Sequence, residues 1–157
     1  MDDSHSLGAR DYRFFEYARK IAFQSDFKTR IGAVAVYSGK VIASAASSEK
    51  TNPLQKKYNR FRNFTADCID SLPKVHAEIG IVSKLKRMQG VDFKRVTVYV
   101  FRLCKARDMG LARPCEACRR ALMDLGIRNI YYSTDSGFAR EWLGADKEFD
   151  KYKKAGG

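Results

Sequence analysis

Two short motifs constrain this chain more than any other feature, because together they offer ligands to one metal ion. The first motif is His76-Ala77-Glu78, and the second, beyond an apolar stretch, is Pro114-Cys115-Glu116-Ala117-Cys118. Cys115 and Cys118 are three residues apart, so at the start of a helix both thiols project from one face. His76, at the start of the preceding helix, can supply a neutral imidazole as third ligand. The spacing therefore predicts a fold that brings two helix starts to one metal site.

These three ligands predict one Zn²⁺ ion per chain. Two thiolates and one imidazole leave the fourth tetrahedral position open, which is typical of catalytic zinc, whose bound water loses a proton near neutral pH. Glu78 can face the same site as His76 only at the amino-terminal end of the helix, where it suits a proton shuttle. The alternative is a structural zinc site closed by a fourth cysteine such as Cys104, which would leave Glu78 without a purpose.

Hydrophobic periodicity predicts strands that alternate with helices, and such alternation favours parallel crossover connections. The predicted elements are helix Gly8–Ser25, strands Ile31–Tyr37 and Lys40–Ala46, helix His76–Gln89, strand Val96–Leu103, helix Cys115–Leu125 and strand Arg128–Thr134. Apolar residues in the tail, among them Phe138, Trp142, Leu143 and Phe149, predict a short helix or a last strand. Residues 151–157 are expected to fray. A length of 157 residues predicts a single domain, 1–157.

Residues 47–75 form a long basic insertion without clear periodicity. Its centre carries five cations and no acid, namely Lys50, Lys56, Lys57, Arg60 and Arg62, with Tyr58 and Phe61 between them. Such a segment can hold phosphates while its rings stack on exposed bases. The alternative is a helix with Tyr58 and Phe61 in the core and one solvated face.

The charge of the chain indicates an anionic partner. Thirty Lys and Arg residues against 18 Asp and Glu give a net charge of +12, so nucleic acid is the first candidate, with a merely solubilising basic surface as the alternative. No run approaches the ~20 apolar residues of a membrane span, and the amino terminus lacks a secretory signal. We therefore expect a cytoplasmic protein with no membrane partner. In that compartment Cys68 and Cys104 are expected to be small buried residues, and His5 an exposed tail residue.

The two motifs resemble the H-x-E and P-C-x-x-C signature of the zinc-dependent nucleotide and nucleic-acid deaminases. The order of strands and helices is similar as well, over roughly Ile31 to Thr134. With His76 as first ligand, the chain is more similar to deoxycytidylate and polynucleotide deaminases than to the free-cytidine deaminases, whose usual pattern has three cysteines. The stretches Lys50–Gln55 and Arg113–Thr134 are similar to deaminase-like proteins of phages and bacteria.

This resemblance implies a three-layer α/β/α fold, with a central mixed sheet of about five strands and helices on both faces. It implies that His76, Cys115 and Cys118 bind zinc, that Glu78 shuttles protons and that the Ala77 backbone lies against the base. Many relatives have an Asn after the second strand that contacts sugar or base. The best-matching position here is Ser47, with Asn52 a few residues later, so contact from this loop stays open.

The implied reaction is hydrolysis of cytosine to uracil, in single-stranded DNA or RNA if the charge decides the substrate. A free cytidine nucleotide such as dCMP or CMP is the alternative that the family branch favours, and adenine in RNA is another. A non-enzyme alternative is a nucleic-acid-binding module with structural zinc. Lys105, Arg107 and Arg113 precede Cys115 and are expected near the mouth of the site as phosphate contacts. Whether the chain forms a homo-oligomer stays open.

Overall fold

One mixed sheet of five strands organises residues 7–50, 52–60, 76–105 and 109–144, which the computed structural model describes. The strands are β1 (Ile31–Tyr37), β2 (Lys40–Ala46), β3 (Thr97–Arg102), β4 (Asn129–Ser133) and β5 (Phe138–Trp142). The helices are α1 (Ala9–Ala22), α2 (Pro53–Asn59), α3 (Ala77–Leu85) and α4 (Glu116–Leu125), and a 3-10 turn, Phe93–Arg95, leads into β3. Predictions for His5, Phe61, Arg62, Cys68, Arg107, Phe149 and residues 151–157 lie outside the described residues.

The strand order is β2-β1-β3-β4-β5, and most neighbours are antiparallel. β1 is antiparallel to both β2 and β3, β3 is parallel to β4, and β4 is antiparallel to β5. β2 and β3 therefore run in the same direction, so the connections through α3 and α4 are both parallel crossovers, as predicted. The tail forms β5, which is the second of the two predicted outcomes.

Side chains of β1 alternate between the two faces of the sheet and so join two cores. Ala33 and Ala35 belong to the core that includes α3 and α4, whereas Val34 and Val36 pack with α1. Gly32 lies directly beneath α1, where an added Cβ would come within 2.2 Å of the Ala18 carbonyl oxygen. Helices thus cover both faces, and the predicted three-layer α/β/α fold is confirmed.

The basic insertion contains the short helix α2, as in the alternative that places a helix there. The side-chain oxygen of Asn52 accepts hydrogen bonds from the N–H groups of Leu54 and Gln55, at 2.7 and 3.2 Å, and so caps the helix. Pro53 occupies the first helical position, where an N–H group is not needed. The Asn-Pro pair is a start signal, but seven residues are too few to display a helical period.

Helices α3 and α4 both begin at the end of the sheet where β2 and β3 finish. His76 is the N-cap of α3 and Cys115 is the N-cap of α4. α3 ends at Leu85 and not at the predicted Gln89, because residues 87 and 88 bond back three residues in a closing turn. In the described residues, every helix is too short or too polar to cross a membrane.

Candidate active site

Three side chains meet where α3 and α4 begin. The Nδ1 atom of His76 lies 3.2 Å from Cys118 Sγ and 3.5 Å from Cys115 Sγ. The three ligand atoms all lie within 4.8 Å of one another. Cys104, the candidate fourth ligand, is a half-buried free cysteine and is not part of this group in the described chain. The structure therefore brings together the three residues named by the motif spacing, in a group that could hold one metal ion.

This cluster fits a single tetrahedral zinc ion. A nitrogen and a sulfur bound at the usual zinc distances and tetrahedral angles lie about 3.6 Å apart. His76 Nδ1 lies 3.2 and 3.5 Å from the two sulfurs in the structure, near this separation. Two thiolates also balance the double charge of the ion. A set of three protein ligands is typical of catalytic zinc, since a structural site is normally closed by four.

Cys115 is already poised as a thiolate. Hydrogen bonds from Cys118 and His76, opposed by burial, lower the pKa of Cys115 from 9.0 to about 4. Its position at the N-cap of α4 adds the positive end of the helix dipole, which favours negative charge. Because the thiolate is the form that binds metal, the local structure prepares this ligand for zinc.

Glu78 is a buried carboxyl in the first turn of α3, with only 4% of its surface exposed. Burial raises the pKa of Glu78 from 4.5 to about 7, with His76 acting to lower it and Cys115 to raise it. A carboxyl with a pKa near neutrality can both accept and donate a proton, which a general acid-base residue must do.

Gln55 is a site residue that sequence reasoning missed. It is fully buried on α2, and its Oε1 atom accepts a hydrogen bond from the backbone N–H of His76 at 3.0 Å. Its Nε2 atom donates to Asn59 Oδ1 at 2.7 Å. This pair of bonds fixes the backbone of a ligand residue from an element far from it in sequence. A residue of the insertion therefore helps to hold His76 in place.

Replacing Gln55 with Leu is expected to weaken zinc binding about 10- to 100-fold, the usual loss when a group that orients a ligand is removed. The His76 N–H would lose its acceptor, which frees the residue to turn away from the two thiols. Competition with a chromophoric chelator measures the affinity, and Gln89→Leu, at an exposed position, is the matched control. If folded Gln55→Leu protein binds zinc with the parent affinity, Gln55 does not position His76 for the metal.

An ionic cluster around one buried carboxylate anchors the second motif to β5. Glu141 is 3% exposed, and its carboxylate accepts hydrogen bonds from Arg113 Nε at 2.9 Å and Arg119 Nε at 3.4 Å. Arg113 precedes Cys115 and Arg119 follows Cys118, so one carboxylate braces both sides of the motif. Arg113, predicted as a substrate contact, thus has a structural partner. No local pattern in the tail signals that Glu141 points inward.

The loop after β2 holds its polar side chains in internal hydrogen bonds. Ser47 is buried, and its hydroxyl bonds to Ser25 Oγ and the Thr29 carbonyl oxygen, each at 2.7 Å. The Ile31 N–H donates to the same hydroxyl at 3.0 Å. Ser47 therefore ties β2 to the segment before β1, and Asn52 caps α2. Both candidate substrate contacts have roles in the fold.

Tyr58 lies in the core and not on the surface. It is 6% exposed, and its hydroxyl donates a hydrogen bond to Asp124 Oδ2, at 2.7 Å, at the end of α4. Burial together with Asp124 raises the pKa of Tyr58 to about 12. This is the alternative that places the insertion's ring in the core, so Tyr58 offers no exposed face for stacking.

The basic residues of α2 are exposed but do not all face the cluster. Lys57 lines a depression with Lys86 and Arg87, at the carboxyl end of α3. At 1.5 Å per residue, Lys86 lies roughly 15 Å along the helix from His76. Lys56 is exposed on the same short helix, and Arg60 is exposed directly after it. Their role as phosphate contacts stays a prediction.

Comparison with known proteins decides the family. A family model described as the cytidine and deoxycytidylate deaminase zinc-binding region matches residues 9–134, which is most of the chain. The chain belongs to this deaminase family. The match includes His76, Glu78, Cys115 and Cys118, and it confirms zinc as the cofactor of the region. A comparison with curated protein sequences found no significant match.

Solved structures of similar fold are also deaminases. One is the dCMP deaminase from cyanophage S-TIM5 in apo form, with a TM-score of 0.56, 17% identity, and coverage of 82% of this chain and 86% of that one. Another is the cytidine deaminase from Burkholderia pseudomallei, with a TM-score of 0.57, 16% identity, and coverage of 88% and 94%. At these identities the likeness establishes the deaminase fold.

Proposed function

We propose that this deaminase hydrolyses cytosine to uracil in single-stranded DNA or RNA. The observation that carries the proposal is the buried carboxyl of Glu78 in the same helix start that brings His76 to the two cysteines. Zinc-dependent base deamination needs both parts, a metal that activates water and an acid that moves protons. A binding module with structural zinc would have no use for such a carboxyl.

Each residue has a distinct task in this proposal. His76, Cys115 and Cys118 hold zinc, which when bound lowers the pKa of water and so makes it nucleophilic at neutral pH. Glu78 accepts the water's proton as the oxygen attacks the ring carbon that bears the amine. It then passes that proton to the adjacent ring nitrogen, and a second transfer lets ammonia leave. Water is consumed, ammonia is released and the oxygen stays on the base.

Ala77 is proposed to lie against the base. It is fully buried, it is the first residue of α3, and it stands between the ligand His76 and the shuttle Glu78. Its methyl group takes little space at the start of the helix, where a larger side chain would obstruct a flat ring. This assignment places the base across the start of α3.

The net charge of +12 supports a strand as the substrate, since a single phosphate needs far fewer cations. A free cytidine nucleotide is the second candidate. A protein of the same fold, the cyanophage dCMP deaminase, has been crystallised with dCMP and dUMP and matches with a TM-score of 0.53 and 16% identity. Both candidate substrates undergo the same reaction. They differ in whether the reacting base belongs to a strand or to a single nucleotide.

Product analysis at several salt concentrations tests the proposal. The protein is incubated with dCMP, CMP and short single strands that contain one cytosine, and mass spectrometry measures conversion of cytosine to uracil. We expect conversion in strands, with kcat/KM falling steeply as salt rises, because each phosphate contact releases counterions. An adenine-containing strand is the control for the base. Conversion of dCMP with none in any strand would replace this substrate by the free nucleotide.

A further inference from the structure

A cavity of about 750 Å³ opens on the α1 side of the sheet, away from the metal cluster. Its floor is apolar and includes Phe15, Phe101 and Phe138, which belong to the core beneath α1. The segment before β1 and the segment after β3 form its walls. The cavity is therefore a concave site that the deamination chemistry does not use.

This cavity and the metal cluster lie at the same end of the sheet. Ile31 pairs with Arg102 at the end of β3, and the Leu103 N–H donates to the Arg30 carbonyl oxygen at 2.9 Å. Cys104 and Lys105, which follow Leu103, line the cavity wall, and Cys115 lies ten residues after Lys105 in sequence. A ligand that extends from the cluster to the cavity would cross this end of the sheet, so it has to be longer than one nucleotide.

The walls are strongly cationic. Five basic residues line them, namely Arg19, Lys28, Arg30, Arg102 and Lys105. Among the described lining residues the acid is Glu16, which pairs with Arg19 at 3.3 Å. The Nε atom of Arg30 is buried and has no hydrogen-bond partner in the described part of the chain. A buried donor without an acceptor, in a wall with surplus positive charge, indicates an anionic ligand.

An exposed aromatic ring stands at the same wall. Phe23 is 50% exposed, and the guanidinium carbons of Arg19 and Arg30 lie 5.2 and 5.5 Å from its ring centroid. A half-exposed ring beside cations can stack on a base with its free surface while the cations meet the flanking phosphates. Phosphate-binding cations and a stacking ring together match a nucleotide unit.

We propose that this cavity binds nucleotides of the single-stranded substrate that neighbour the reacting cytosine. The proposal rests on the proposed function for the identity of the strand as substrate. It assigns phosphate binding to Lys28 and Lys105 and base stacking to Phe23. A free nucleotide at the metal cluster would leave these residues unused.

Strand binding is measured with a fluorescent single strand containing one cytosine, on Glu78→Gln protein so that the strand is not converted. Lys28→Ala/Lys105→Ala should raise its Kd about tenfold and reduce the slope of log affinity against log salt by about 1.4, at about 0.7 per contact. Lys40→Ala/Lys94→Ala removes the same charge from exposed positions at the opposite end of the sheet and should leave the slope unchanged. The double variant Lys56→Ala/Lys57→Ala, measured in the same way, tests whether the basic insertion contacts the strand. Equal zinc content and thermal stability are required throughout.

Stacking is tested separately at one salt concentration. Phe23→Leu should raise the strand Kd at least about fivefold, the lower end of what one stacked base contributes. Tyr17→Leu is the control, because Tyr17 lies on the same helix, is 45% exposed and is not part of the cavity wall.

The outcomes separate this proposal from the proposed function. Strand binding that depends on Lys28, Lys105 and Phe23, without uracil formation by the parent protein, supports the cavity and removes the deaminase function. Uracil formation in strands, with the same KM in the parent and in both cavity variants, supports the deaminase function and overturns the cavity proposal. The cavity proposal is also overturned if only the insertion pair lowers the salt slope. It is overturned as well if the cavity variants weaken binding of a free deoxynucleoside triphosphate but not of the strand.

Discussion

Glu78→Gln protein is expected to fold, bind zinc and turn over at least ~100-fold more slowly than the parent, because general acid-base catalysis commonly contributes that much or more. The amide has the size of the carboxyl but cannot accept the proton of the attacking water. Burial favours this outcome further, since bulk water is excluded from the position of a 4% exposed side chain and cannot substitute for it. Single-turnover rates of uracil formation measure the loss.

Glu116→Gln is the matched control for this experiment. Glu116 lies within the second motif but is exposed and pairs with Arg119 only at 3.9 Å, a weak surface contact. Its replacement should leave turnover near the parent rate. If Glu78→Gln loses zinc along with activity, Glu78 is a ligand or a structural support and the shuttle assignment is wrong.

Cys118→Ser is expected to abolish tight zinc binding and, with it, all measurable uracil formation. Cys118 is fully buried in α4 with its sulfur 3.2 Å from His76 Nδ1, so a hydroxyl there presents a poor zinc ligand at the centre of the cluster. The same variant should melt at a lower temperature than the zinc-loaded parent, because metal bound only to the folded state stabilises it. Metal analysis of purified protein and a thermal melt measure both effects.

Cys104→Ser is the control for the loss of a thiol. Cys104 is half-buried and lies outside the three-residue cluster, so its replacement should keep zinc at one ion per chain. If Cys104→Ser loses the metal and Cys118→Ser retains it, the ligand set is wrong and the structural-zinc alternative returns.

Local spacing in the sequence accounts for much of the site. His76 and Cys115 each stand at a helix start, and Cys118 follows one turn later, so short-range geometry orients all three ligands. Alternating strands and helices then specify that both helix starts lie at one end of the sheet. These relations involve neighbours in sequence or a standard crossover, which is why they are predictable without coordinates.

The supporting contacts were not predictable because they join distant parts of the chain. Gln55 reaches the His76 backbone from α2, and Tyr58 finds Asp124, 66 residues away. Nothing in a run of basic residues distinguishes a tyrosine that stacks on bases from one that packs in the core. A tyrosine has an apolar ring and a polar hydroxyl and therefore suits either role. Only the tertiary structure shows whether it stacks on bases or packs in the core.

The same ambiguity affected the polar candidates. Ser47 and Arg113 have the chemistry of substrate contacts, yet their partners are Thr29 and Glu141. A buried polar group needs a hydrogen-bond partner. Here the partners lie in distant parts of the chain, so the local sequence does not indicate them. Conversely, the cationic cavity beneath α1 is assembled from Lys28 and Lys105, which belong to different segments and form no motif.

Zinc titration of metal-free protein, with uracil formation as the readout, tests the central claim most directly. Metal is removed with a chelator, zinc is returned in sub-stoichiometric steps, and conversion of a cytosine-containing strand and of dCMP is followed at each step. The account predicts no conversion without metal and a linear rise that ends at one zinc ion per chain, absent in Glu78→Gln protein. Full activity in metal-free protein, or a filled zinc site in folded protein that converts neither substrate, would contradict it.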